Sequence, residues 1–188
     1  MYHIDMRIIA GKYKGKKLAE FELSSTRPTS DLIREALFDK IGLDIAGSVF
    51  LDLFAGTGAI GIEALSRNAS FCHFVDCEKN AIKIIKQNLS LIGATEINSN
   101  VQNKNYEEAL KQFTKNNTKF DFVFLDPPYK TDFAEKAINI LFESNLLNPD
   151  ALIVWEHDNS KLEYVQNNFP NSKTKKYGQK FLTYIYSK

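Results

Sequence analysis

Val49-Phe-Leu-Asp-Leu-Phe-Ala-Gly-Thr-Gly-Ala-Ile-Gly61 is the stretch on which the fold of this 188-residue chain turns. An apolar run broken by Asp52 reads as a buried strand. Gly56-Thr57-Gly58-Ala59-Ile60-Gly61 then satisfies G-x-G-x-x-G where a helix opens. Working outward, that helix runs to Asn68, and residues 71–76 form the next strand. Ile82, Ile85, Leu89 and Ile92 make one face of a second helix, ended by Gly93. Residues 97–101 read as a weaker strand and 106–113 as a helix. Residues 120–125 are the most hydrophobic strand and stop at Asp126-Pro127-Pro128. A helix (133–142), a strand (151–156) and a short helix (161–168) follow. Residues 173–177 and 181–186, around Gly178-Gln179, read as a closing antiparallel hairpin. The pattern predicts an α/β fold, a mainly parallel sheet with helices on both faces and ligands beyond the carboxyl ends of its strands.

Ahead of this unit (43–188), residues 1–42 read as a hairpin-and-helix extension. Residues 7–10 and 16–18 are strand-like around Gly11 and Gly15. Thr29, Ser30 and Asp31 are N-cap formers, Leu32, Ile33, Ala36, Leu37 and Ile41 follow at helical spacing, and Gly42 ends the helix. Hydrophobic residues at 44% and charged residues at 25% are the balance of an ordinary soluble domain. No run approaches a membrane span, and residues 1–17 lack the apolar core of a secretory signal, so a cytoplasmic protein is expected. Cys72 and Cys77 lie in one extended stretch, roughly 16 Å apart. That exceeds disulfide reach of about 7 Å, so both thiols read as packing. These cysteines and scattered histidines make a poor metal site, and none is expected. The net charge is only +1, but the bases gather at the ends. Arg7, Lys12, Lys14, Lys16 and Lys17 cluster without an acid, and Lys173, Lys175, Lys176, Lys180 and Lys188 follow the last acid, Glu163. A polyanion could dock on the termini.

The glycine turn with Asp76, 20 residues after Gly56 and at the end of the next strand, would by itself suit NAD, with the acid on ribose hydroxyls. Asp52 argues otherwise. A carboxylate at the mouth of the turn repels a pyrophosphate by kcal-scale amounts when partly buried. S-adenosylmethionine has no phosphate, and its sulfonium and α-ammonium cations suit Asp52. Gly56 and Gly58 would let the backbone approach the methionine moiety. Asn105 stands where an amide could read the adenine edge, with Tyr106 beside it and Phe54 nearer the glycines. The antiparallel end of the sheet favours the same cofactor, since a plain NAD-type sheet has no need of it.

Asp126-Pro127-Pro128-Tyr129 carries the chemistry. Prolines directly after a buried strand stop sheet pairing and stiffen the backbone. They fix the Asp126 carboxylate and the Pro127 carbonyl as acceptors over the strand ends. An exocyclic amine is a poor nucleophile because its lone pair is delocalised into the ring. Acceptors on its two hydrogens draw the nitrogen toward tetrahedral geometry and localise that pair for attack on the sulfonium methyl. Tyr129 can stack on the base, worth about 1–3 kcal/mol. Positioning and electrostatics supply the acceleration, and the base must be flipped out or unpaired to arrive.

The segments 51–67 and 124–129 resemble class I amino-methyltransferases. Arg7-Ile-Ile-Ala-Gly-Lys12 with Gly15-Lys-Lys-Leu18, Thr26-Arg-Pro-Thr-Ser-Asp-Leu-Ile-Arg-Glu-Ala-Leu-Phe38 and Tyr177-Gly-Gln179 narrow the likeness. Over nearly the whole chain the sequence is similar to the RsmD family, which methylates N2 of a guanine in bacterial small-subunit ribosomal RNA. It departs from that pattern at Ala10, where a glycine is common, and in the polar spacer 97–104. The resemblance implies a Rossmann-like methyltransferase fold, with cofactor binding at Asp52, Gly56, Gly58, Asp76 and Asn105. It places the target base at Asp126, Pro127 and Tyr129. Arg7, the hairpin lysines and the Arg27 loop would meet 16S rRNA, in the small subunit or an assembly intermediate. A monomer is expected. The alternative is an adenine-N6 methyltransferase on RNA or DNA, since Asp-Pro-Pro-Tyr serves any exocyclic amine. A DNA enzyme would want a target-recognition domain, and a protein-glutamine methyltransferase typically has Asn at the Asp126 position.

Overall fold

Strict alternation of side chains across the central strands builds two cores, one on each face of a single sheet. The computed structural model describes residues 6–21 and 31–187. Its strands are β1 (Val49–Asp52), β2 (Phe71–Asp76), β3 (Ser99–Asn103), β4 (Phe120–Leu125), β5 (Leu147–His157), β6 (Lys173–Tyr177) and β7 (Lys180–Tyr186). The α-helices are α1 (Asp31–Ile41), α2 (Ala59–Ser66), α3 (Lys79–Leu91), α4 (Tyr106–Lys115), α5 (Phe133–Glu143) and α6 (Leu162–Asn168). The strand order is β3-β2-β1-β4-β5-β7-β6, parallel through β5 and antiparallel for β7 and β6. Phe50, Phe74, Phe122, Val154 and Leu182 point to the face covered by α1, α2 and α3. Leu51, Val75, Val123, Ile153 and Ile185 point to the face covered by α4, α5 and α6. This is the period of two that a doubly covered sheet requires. No described helix is long and apolar enough to cross a membrane.

The first strand stops at Asp52, short of the apolar run's end at Phe54, and two other strands differ further from the sequence reading. β3 lies two residues further on, at Ser99–Asn103, because Ile97 sits 88% exposed in a turn closed by Thr95 and Asn98. A lone β-branched residue in a polar edge segment is a weak strand signal. β5 begins at Leu147 rather than Ala151, although Asn148-Pro149-Asp150 is a turn signal. The register between β4 and β5 shifts there, and Asp150 adopts φ +60°, so the strand carries an irregularity instead of starting after it.

The N-terminal pieces join the sheet through buried polar groups as well as apolar ones. Arg7 and Lys17 pair in an antiparallel bridge, confirming the small hairpin. Buried Glu63 of α2 accepts from the backbone N–H of Ile9 and Ala10, at 2.8 and 2.9 Å. Buried Asn88 of α3 grips Ala19 through both its N–H and its carbonyl, and also donates to the Thr57 carbonyl in the glycine turn. Met6, Ile8 and Leu18 share the α1-side core with Ile33 and Leu37, so the described residues ahead of Gly42 pack with the rest. Within α1, Leu32 is 56% exposed, contrary to its place in the expected apolar face. Its buried charged side chain is Arg34, which donates to the Arg7 carbonyl and pairs with Asp31. The proposed N-caps Thr29 and Ser30 lie outside the described residues.

The third glycine of the turn sets how closely α2 lies on the sheet. A Cβ at Gly61 would stand 2.3 Å from the Phe74 ring and 2.6 Å from Cys72 Sγ, both buried. Gly61→Ala is therefore expected to cost about 1–3 kcal/mol by overpacking, which lowers Tm by several degrees. Gly93→Ala, whose Cβ meets nothing within 4 Å, carries only its backbone strain and should cost less. Thermal melts showing the two variants equal would remove the close-packing role.

Candidate active site

Acids close successive strands at one end of the sheet. Asp76 ends β2, Asp52 ends β1, and Asp126 follows Leu125 at the end of β4, with β2, β1 and β4 adjacent. Backbone hydrogen bonds from Leu53 to Phe124 (3.2 Å) and from Ala55 to Val75 (3.0 Å) bring the glycine turn between the ends of β4 and β2. Gly56 and Gly58 take φ of +53° and +76°, a region that disfavours side chains. Gly58 caps α2 in that conformation, so the turn presents bare backbone at a helix N-terminus.

Both acids near this turn are part of its construction. Asp52 is 1% exposed, and its Oδ2 accepts the Gly61 N–H at 3.0 Å. Burial, with Asp76 nearby, pushes its pKa up to about 7 despite that hydrogen bond. Asp76 Oδ2 accepts from Gly56 N and Oδ1 from Glu78 N, each at 2.8 Å. Burial raises its pKa too, while those hydrogen bonds oppose the shift. A carboxylate offers about four lone-pair sites, so Asp76 keeps capacity for two ribose hydroxyls while it anchors Gly56. A buried carboxyl that ionises reluctantly is a receptor suited to a cation. A positively charged ligand would offset the desolvation that holds Asp52 near neutrality. The glycine cradle, Asp52 and Asp76 thus fit S-adenosylmethionine.

Asn105 is exposed and caps α4, its Oδ1 accepting the Glu108 N–H at 2.9 Å. Its amide hydrogens are what remain for an adenine ring nitrogen. Tyr106 is 7% exposed, donates its hydroxyl to Glu107 and lies between Phe54 and Phe133, at ring distances of 5.7 and 5.2 Å. It works as the backing of an aromatic wall in which Phe54 is half-buried. Asn103, which the sequence reading passed over, donates to the Asp76 and Cys77 carbonyls and ties β3 to this loop. Cys72 is buried, but Cys77 is exposed at the mouth, so the expectation that both thiols serve packing holds only for Cys72.

On the other side, Asp126 is half-exposed, Pro127 buried and Tyr129 half-buried. The Tyr129 hydroxyl donates to Glu156 Oε1 at 2.9 Å, and burial raises the phenol pKa. Glu156 is fully buried near the end of β5 and also receives the Lys180 ammonium, which lies 5.9 Å from the Tyr129 ring centroid. The sequence reading missed Glu156 and the part played by Lys180. The signal was present, because one acid after the apolar run 151–155 repeats the pattern of Asp52 and Asp126. Hollows of about 390 and 760 Å³ elsewhere contain none of these acids and are lined instead around Asp121 and Phe169.

The basic N-terminal side chains Arg7, Lys12, Lys14, Lys16 and Lys17 are all exposed. The hairpin tip, however, packs at the carboxyl ends of α2 and α3. Lys12 N donates to the Ser66 carbonyl at 2.7 Å and Lys16 Nζ to the Leu91 carbonyl at 2.6 Å. Those helix ends lie away from the glycine turn. Arg27 lies outside the described residues.

The raised pKa of Asp52 makes a prediction for stability. Its carboxyl ionises near 3.8 when unfolded and at about 7 when folded. The folded state therefore holds an extra proton between those values, and stability is lost as pH rises through 7. Asp52→Asn cannot titrate. Its stability without cofactor should gain on the parent between pH 5 and pH 8, by at most about 3 kcal/mol. Tm profiles that run parallel over that range would contradict the assignment.

Comparison with known proteins agrees with this geometry. The family model described as Conserved hypothetical protein 95 matches residues 6–186. The ribosomal RNA small subunit methyltransferase D of Haemophilus influenzae is 40% identical over 84% of this chain and 81% of its own. The solved structure of Escherichia coli yhhF superposes with a TM-score of 0.82 at 30% identity, over 98% of each chain. The fold is shared more widely. Thermus thermophilus RsmC, a 16S rRNA N2 methyltransferase solved with AdoMet and guanosine, gives a TM-score of 0.75 at 18% identity, over 98% of this chain and 50% of that one. The chain belongs to the family described as Conserved hypothetical protein 95, the RsmD family of ribosomal RNA methyltransferases.

Proposed function

We propose that this chain transfers the methyl group of S-adenosylmethionine to N2 of a guanine in 16S rRNA, within the small subunit or an assembly intermediate. The observation that carries this reading is the division of the strand ends. A glycine cradle with Asp52 and Asp76 serves a cation with a ribose, and Asp126-Pro127-Pro128-Tyr129 stands on the next strand. When bound, the cofactor supplies an electrophilic methyl on a cationic sulfur. Gly56 and Gly58 admit its methionine portion, Asp52 faces its positive charge, and Asp76 holds the ribose. Asn105 donates to the adenine, and Phe54, backed by Tyr106, lines the ring.

The chain's own residues then prepare the amine. Asp126 and the Pro127 carbonyl accept its two hydrogens, and buried Pro127 keeps the pair in register. Tyr129, tethered through its hydroxyl, is held for stacking on the base. Asp126 need not act as a base before transfer, because the methylated ammonium is acidic and loses its proton afterwards. The hairpin lysines and the Arg27 loop bind phosphates, which positions the RNA without reading its sequence. With so little surface left for reading base edges, choice of one guanine rests on a substrate that already exposes it. The setting is cytoplasmic and the working unit a monomer.

Asp126→Ala is expected to lower the methyl-transfer rate on the order of 10²-fold or more, with cofactor affinity little changed. Asp76→Ala should chiefly weaken cofactor binding, and calorimetry giving the opposite pattern would reverse the two roles. Mass spectrometry of nucleosides from labelled small subunits should find N2-methylguanosine. N6-methyladenosine would transfer the reading to the adenine alternative. Neutralising Lys12, Lys14, Lys16 and Lys17 together should flatten the salt dependence of RNA binding, by up to about 0.9 for each duplex phosphate that is no longer neutralised. An unchanged slope would make the hairpin a solvated face.

A further inference from the structure

The last acid in the chain is Glu163, and the closing hairpin β6–β7 that follows is purely basic. β6 is the outer strand of the sheet, so its far side is unpaired, and residues 173–176 are all exposed. Directly paired residues of an antiparallel ladder share a face. Lys173 pairs with Tyr184 and Lys175 with Leu182, and both partners belong to the core on the α1 side. Lys180 pairs with Tyr177, whose ring packs on the same core. Lys173, Lys175 and Lys180 thus form a row on one face, in steps of about 6.8 Å along the strand. Lys176 belongs to the other face. It pairs with Phe181, lies over that ring, and Phe181 in turn stacks on His157.

The row has a direction. β6 is parallel to β5, because each is antiparallel to β7, so the row rises toward the strand ends that carry the site. At its inner end Lys180 meets Glu156, and the same Glu156 oxygen accepts the Tyr129 hydroxyl. The innermost ammonium is therefore fixed to the aromatic that the reading above assigns to the target base. The N-terminal hairpin tip has no such tie to the mouth among the described residues, since it packs on the carboxyl ends of α2 and α3.

Resting on that reading, we infer that the α1-side face of β6–β7 is a docking track for the RNA backbone that flanks the target nucleotide. Lys173 and Lys175 take phosphates, and Lys180, held by Glu156, sits where the strand enters the pocket. Phosphates suit this row because a line of ammonium groups without a neighbouring acid in its sequence meets a polyanion at low desolvation cost. Lysines on an outer strand also guard against edge-to-edge aggregation, but that role is indifferent to which face they occupy.

Steady-state methylation of unmodified small subunits, repeated over a range of salt, separates these roles. The double variant Lys173→Gln/Lys175→Gln should raise KM several-fold and flatten its salt dependence by up to about 1.4, for two phosphates of a single strand. Its kcat at saturation, cofactor affinity and Tm should stay those of the parent. Lys176→Gln, on the opposite face, should leave KM and slope alone. A double variant with parental KM and slope, whether or not it aggregates, overturns the track. So does an equal effect from Lys176→Gln. Failure of the parent itself to methylate subunits would bring down the underlying reading and the track with it.

Discussion

One hydrogen bond, from the Gly61 amide to the Asp52 carboxylate, joins the chemistry of the site to the packing of the core. It draws a carboxyl into a place where it is 1% exposed and has its pKa lifted to about 7. It also fixes the first turn of α2, at the residue whose missing Cβ lets the helix rest on Phe74 and Cys72. A bulkier residue at 61 would push α2 away and stretch the bond to Asp52. Removing the Asp52 acceptor would leave a buried N–H unpaired, a cost of about 1–3 kcal/mol. Asp76 repeats the device one strand over by holding Gly56. The turn is preorganised by the same acids proposed to receive the cofactor, so binding need not order it first.

Buried polar groups carry the second tier of organisation. Glu63, Asn88 and Arg34 are all fully buried, and each is bonded to backbone of the N-terminal hairpin or its exit. Apolar contacts alone would let a short hairpin slide along α2, since they have little directional preference. Hydrogen bonds to particular amides fix its register. Asn88 goes further, because it also holds Thr57 inside the glycine turn. The hairpin is thereby coupled to the cofactor cradle through one side chain, although its basic tip points elsewhere.

Most of the sheet was legible because its strands are long apolar runs punctuated by acids, glycines and prolines. β2 and β4 have the expected bounds, and the antiparallel closing pair separates this sheet from a plain dinucleotide-binding one. Legibility failed where tertiary context overrides local signals. Ile97 looked like strand and is a turn tip, and the strand expected from Ala151 runs back through Pro149-Asp150 to Leu147. Arginine is rarely buried, yet Arg34 is buried where a carbonyl and a carboxylate receive it. At the site, residue types and spacing picked out the acids at the strand ends. They could not reveal that Tyr129 is tethered to an acid 27 positions away. That is a pairing across the fold which no local pattern encodes, whereas the Asn105 cap on Glu108 follows a local Asn-x-x-Glu helix start.

The order of acids across the sheet explains how a polyanion could be served by an acidic mouth. Asp76, Asp52, Asp126 and Glu156 stand at the ends of β2, β1, β4 and β5, which are neighbours. Adjacent strands lie about 4.8 Å apart, and four bare carboxylates at such intervals would repel strongly. The fold moderates three of them visibly. Asp76 takes two amide hydrogens, Asp52 takes one and is held near neutrality by burial, and Glu156 takes a hydroxyl and an ammonium. What remains negative suits a cationic cofactor and the hydrogens of an amine, and it opposes phosphate. On the proposed reading, a nucleic-acid backbone would thus be kept at the basic flanks, and the part of the substrate to enter would be a neutral base turned away from its own charge.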